Sequence, residues 1–162
     1  MTAPASTLAG MSPEDQQRVR NAVADTGPGI FASPLIGGSR SDVARYLAEG
    51  ELGRRLADRH DWRVVWKAVA QVIDEDPAVV ERSPEQAKAD AEARTVRVDG
   101  IVDEAQQALQ AGDLVQVAAL LDEAWAVDPD HRIPGVGGVR SLGVRLSVVR
   151  DRIHARLIGR DA

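Results

Sequence analysis

Apolar residues recur along the chain at three- and four-residue intervals, the spacing of amphipathic helices. The clearest case runs from Ile101 to His131. Ile101, Val102, Ala105, Ala108 and Leu109 line one face of a first helix, and Leu114, Val117, Ala118, Leu121, Ala124 and Trp125 line one face of a second. Gly112-Asp113 hinges the two and Asp128-Pro129 stops the second. So short a link permits only antiparallel packing. The small residues at 105, 108, 118 and 124 let the helices approach closely.

The same logic partitions the rest. Ser12-Pro13-Glu14-Asp15 is a capped helix start, and Gly27-Pro28-Gly29 predicts its end near Asp25. Residues 26–40 then read as a long loop holding Ile30, Phe31, Leu35 and Ile36, tucked over a core or forming a binding edge. Ser41-Asp42 caps the next pattern, Val43 to Ala57, in which Gly50 either faces a close helix contact or divides two short helices. Asp61 caps a broad apolar helix ending before Pro77, with Trp62, Val65, Trp66, Val69 and Ile73 on its stripe; Trp62–Ile73 is the predicted centre of the core. Ser83-Pro84 starts an exposed helix to about Arg97, where Asp90 and Arg94 are spaced to pair. Gly100 predicts a break before the hairpin, a continuous helix being the alternative. A last helix is expected from about Ser141 to Ile158 on Leu142, Leu146, Val149, Ile153 and Leu157.

The hairpin resembles the tetratricopeptide repeat over residues 98–131. With Pro129 on that family's terminal proline, Gly112-Asp113 falls on its Gly-Asp turn. Ala105 and Ala108 fall on small positions of the first helix, Leu121 on a large apolar position and Ala124 on the late alanine. Ile101, Glu104 and Val117 depart from the pattern. A degenerate copy fits 46–79 through Leu52-Gly53, Trp62, Val65 and Asp76-Pro77, with His60-Asp61 at the turn, Gly50 out of place and Val72 for the late alanine. The resemblance implies a helical-hairpin array that binds protein or peptide on its first helices, where Arg54, Asp58, Gln106 and Gln110 stand. Without it, these four are solvated surface and the chain is an irregular helical bundle.

Composition narrows the class further. The chain has 162 residues, 44% hydrophobic and 28% charged, which suits one soluble helical domain over 12–162. Residues 1–11 read as a disordered N-terminus. Only 3% are aromatic, so Val, Leu, Ile and Ala must fill the core. Cysteine is absent, which excludes disulfides, thiolate metal sites and a cysteine nucleophile. No apolar run is long enough for a membrane span, and the N-terminus lacks the features of a signal peptide, so a cytoplasmic location is expected. The scarcity of lysine, confined to Lys67 and Lys88, resembles GC-rich bacterial coding.

Net charge is −5, unevenly spread. From Arg140 onward six arginines face two aspartates, so this end is basic and the remainder strongly acidic. Arg145, Arg152 and Arg156 lie on the flank of the last helix and suit an acidic partner, a second subunit or nucleic acid. The loop from Gly135 to Ser141 resembles a phosphate-binding loop but lacks its last glycine and its lysine, and reads as an inter-helix connection. His60 lies near Asp58 and Asp61, and His131 near Asp128 and Asp130, without metal-ligand spacing on a helix. No catalytic motif is visible.

The residues therefore predict an all-α protein of five to seven helices, without a cofactor and without an enzymatic role. The expected function is a protein–protein interaction or assembly module with a protein partner or self-association. The alternatives are a nucleic-acid-associated regulator or virion component using the basic C-terminal helix, and a small-ligand or enzyme role beneath the 26–40 loop.

Overall fold

A computed structural model of the chain describes residues 7–36, 38–135 and 143–160. The fold is all-α, with eight helices and one two-stranded ribbon among the described residues. The number exceeds the expected five to seven because two helices are very short. The chain divides into two compact units, residues 1–92 and 93–162, and its buried apolar residues form two separate clusters rather than the single core expected.

The first unit holds α1 (Pro13–Phe31), α2 (Arg40–Glu49), α3 (Glu51–Leu56), α4 (Trp62–Glu75) and α5 (Ala78–Glu81). Helix α4 packs on α2 and α1, and α5 packs on α1. Val65, Ala68, Val69, Val72 and Ile73 of α4 are buried, so the predicted core helix is central here. Trp62, however, sits in its first turn with 37% of its surface exposed, stacked on Trp66. Leu8 and Met11 are also buried in this cluster, and the Leu8 N–H donates to Gln71 Oε1 at 2.8 Å. Residues 7–11 are thus docked rather than loose: two apolar side chains anchor a segment without helical signal.

Helix α1 does not stop at Asp25 but continues through Gly27-Pro28-Gly29 to Phe31. Pro28 has no N–H to give the Ala24 carbonyl, its helical partner. Arg82 Nη2 donates to that oxygen instead, at 2.7 Å. Gly27 is required by close packing, since a Cβ there would lie 2.9 Å from Val80 Cγ1. The apolar loop predicted over 26–40 is shortened accordingly. Ile30 and Phe31 are helical, Ile36 packs against the core, and Leu35 projects outward.

Gly50 divides α2 from α3. Gly53 then passes so close to the end of α2 that a Cβ would sit 1.8 Å from the Ala48 carbonyl oxygen. The cap of α2 is Ser39, whose Oγ accepts from the Asp42 N–H, two residues earlier than the sequence suggested. Asp61 caps α4 and Ser83 caps α6 as expected.

Helix α6 (Pro84–Gln110) is uninterrupted at Gly100; its residues to Glu92 belong to the first unit and the others to the second. Glycine in a helix costs about 1 kcal/mol, whereas burying a chain such as Val98, Ile101 or Val102 contributes roughly 1.5–3 kcal/mol each. Packing wins. The second unit adds α7 (Leu114–Val127), β1 (Arg132–Ile133), β2 (Val144–Arg145) and α8 (Leu146–Arg160). The α6–α7 hairpin has the predicted turn. The Gly112 N–H donates to Leu109 O, and the Asp113 N–H reaches back to Ala108 O, a Schellman closure with Gly112 at φ 77°. Asp113 Oδ1 also accepts from the Gln116 N–H, capping α7.

Helix α8 begins at Leu146, later than the expected Ser141, because Val144 and Arg145 pair antiparallel with Ile133 and Arg132. Leu142 and all of the glycine loop beyond Gly135 lie outside the described residues. Among the described residues no helix is long and apolar enough to cross a membrane.

Candidate functional site

In the first unit Arg54 is exposed in the last turn of α3, and Asp58 is exposed just beyond it. Asp58 is held by Arg59 Nη1, at 3.1 and 3.2 Å from its two oxygens. The more organised group beside them is one the sequence pattern did not single out. Asp15, only 1% exposed, accepts from Arg59 through Nε at 3.0 Å and Nη2 at 2.9 Å, and from Arg18 Nη1 at 2.7 Å. His60 Nε2 lies 3.1 Å from its second oxygen. Burial raises the Asp15 pKa, but the hydrogen bonds from Arg59, Arg18 and His60 outweigh it and hold the carboxyl well below the usual carboxylate range. The cluster ties the start of α1 to the segment between α3 and α4. Its chemistry is that of a saturated anchor, with every carboxylate oxygen occupied.

In the second unit Gln106 and Gln110 lie one turn apart on α6, both exposed. Leu109, assigned by periodicity to the buried face, is 41% exposed, because it stands in the last turn of α6. Two amides and one large apolar side chain therefore share the solvent surface at that end of the hairpin. Val115, in the first turn of α7, is exposed as well.

Arg145, Arg152 and Arg156 are all exposed and make no ion pair among the described residues. Arg152 and Arg156 are one turn apart on α8. Arg150 differs from them. Its Nε donates to Asp122 Oδ1 at 2.7 Å, and its guanidinium lies 3.7 Å from the centre of the Trp125 ring. His154 Nε2 is 2.8 Å from the same Asp122 oxygen. Burial again acts against the ionised Asp122, and His154 and Arg150 overcome it, so its pKa is lowered.

The third histidine, His131, is 3% exposed and pairs with Asp99 Oδ1 at 2.9 Å, while Asp128 stays at 3.9 Å from its Nδ1. Its carbonyl accepts the Leu146 N–H, so it also pins the start of α8. Each histidine thus hydrogen-bonds an aspartate at least 32 residues away along the chain. Among the described residues no three His, Asp or Glu side chains gather as a metal site would require.

No family model, no curated protein and no solved structure matches this chain.

Proposed function

We propose that the protein is a non-enzymatic interaction or assembly module whose α6–α7 hairpin, similar to a tetratricopeptide hairpin, offers its first helix to a protein partner in the bacterial cytoplasm. The observation that carries this reading is the surface of α6 around Gln106, Leu109 and Gln110. An apolar side chain 41% exposed beside two exposed amides, on a hairpin with a closed turn, is the composition of a small recognition patch. Arg54 and Asp58 are the corresponding contacts proposed for the first unit. The three histidines and their aspartates support the reading by serving as anchors within the fold.

The test compares the wild-type chain with Gln106→Ala/Leu109→Ala/Gln110→Ala as baits for neighbouring proteins, with solution mass measured for both. A protein or self-complex retained by the wild type and lost by the variant is expected. Equal behaviour of the two chains would overturn the reading.

A second reading, a nucleic-acid-associated regulator or virion component, is favoured by one observation: Arg145, Arg152 and Arg156 are exposed and unmatched by carboxylates among the described residues. A salt-sensitive mobility shift abolished by Arg→Ala at all three positions is its expected sign. No shift at low salt sinks it.

A further inference from the structure

Residues 7–11 sit on the first unit as a bound peptide would. Leu8 and Met11 are 3% and 5% exposed, while Ala9 and Gly10 between them face solvent. The Met11 N–H donates to the Leu8 carbonyl at 3.0 Å, closing the four residues into a turn with both large side chains inward. Two glutamine amides grip its ends. The Leu8 N–H donates to Gln71 Oε1 of α4 at 2.8 Å, and Gln16 Nε2 of α1 donates to the Met11 carbonyl at 2.9 Å. The seat thus reads an N–H at the start of a turn, a carbonyl at its end, and two apolar side chains three residues apart.

Helix α1 starts without help from this segment. Its cap is Ser12, whose Oγ accepts from the Asp15 N–H at 3.1 Å, and Asp15 is held by Arg59, Arg18 and His60. Two buried side chains and two amide hydrogen bonds stand against the ordering entropy of five residues, and these opposed contributions are of similar size. The turn therefore leaves its seat by local opening, with α1 and α4 intact.

We propose that this seat on α1 and α4 is a peptide-binding site, closed in cis by residues 7–11. Its ligand is a partner's segment carrying two leucine or methionine side chains three residues apart on a turn. That occupant is read from what the seat already holds, since a segment making the same four contacts fits where Leu8 to Met11 fit. Because the cover competes with the ligand, residues 7–11 set the partner's apparent affinity. The site uses none of Gln106, Leu109 and Gln110, so its failure leaves the hairpin reading standing.

The probe is a labelled synthetic peptide of residues 1–12, titrated into the full chain and into Leu8→Ala/Met11→Ala, whose own turn no longer fills the seat. The variant should bind the peptide at least about tenfold more tightly than the wild type does. Adding Gln71→Ala should weaken that binding, and a peptide carrying Leu8→Ala/Met11→Ala should not bind. Circular dichroism monitors folding, and Leu8→Ala alone replaces a double variant that fails to fold. Amide hydrogen exchange of the wild type needs no substitution and decides the matter if neither variant folds. The Leu8 and Met11 N–H groups should exchange at least about tenfold faster than those of Val69 and Val72 in α4. No binding to the open variant, equal binding to both chains, binding indifferent to Gln71, or retention of the substituted peptide would overturn the inference. So would exchange of Leu8 and Met11 only at the rate of Val69.

Discussion

Arg82 Nη2 lies 2.7 Å from the Ala24 carbonyl oxygen, the group that Pro28 leaves without its helical donor. A side chain from beyond α5 thus completes the hydrogen bonding of α1. Arg82→Ala should cost about 1–3 kcal/mol by stranding that oxygen. Adding Pro28→Ala returns a backbone N–H to the same carbonyl, so the double variant should lose less than Arg82→Ala alone. A double-mutant cycle in denaturant measures the coupling.

Asp15 gives a pH prediction. Its folded pKa is depressed below the unfolded value of about 4, so the stability it contributes is present above that value and drains away as pH falls toward the folded pKa. Asp15→Asn should therefore be less stable at neutral pH by about 2 kcal/mol or more. It should also show a flatter loss of stability below pH ~4. Urea midpoints over that range decide it; parallel curves for the two proteins would contradict the assignment.

Two glycines should respond oppositely to alanine. At Gly53 a Cβ would collide with the Ala48 backbone, which cannot move as a side-chain tip can, so Gly53→Ala should cost roughly 3 kcal/mol or more. At Gly100 nothing lies within 4 Å, and Gly100→Ala should stabilise by about 0.5–1 kcal/mol. Thermal melting of the pair gives shifts of opposite sign.

Arg150 should depend on its plane as well as its charge. Arg150→Lys keeps a cation near Asp122 but loses the flat stack over Trp125, at a cost of about 1 kcal/mol. The emission of Trp125 should change while Trp62 and Trp66 serve as an internal reference in a Trp125→Phe control.

What the sequence made legible was whatever acts within one helical turn. Ser12, Asp61, Ser83 and Asp113 cap their helices through bonds to backbone two or three residues away, and Asp76 and Asp128 end theirs before a proline. The early end assigned to α1 failed because the rescue of Ala24 comes from Arg82, 58 residues on. The acids beside His60 and His131 in sequence were a poor guide to their hydrogen bonds for the same reason: Asp15 and His60 are 45 residues apart, and Asp99 and His131 are 32 apart. Leu109 shows the limit of periodicity, which fixes a direction around the helix but not whether a neighbour reaches that far along it.

Asp113 closes α6 with its N–H and opens α7 with its carboxylate. The two helices consequently share a residue and have no slack between them. A single residue inserted after Asp113 would rotate the apolar stripe of α7 by about 100°, turning Leu114, Val117 and Leu121 away from α6. The hairpin can vary in the identity of its surface residues, but its length is fixed.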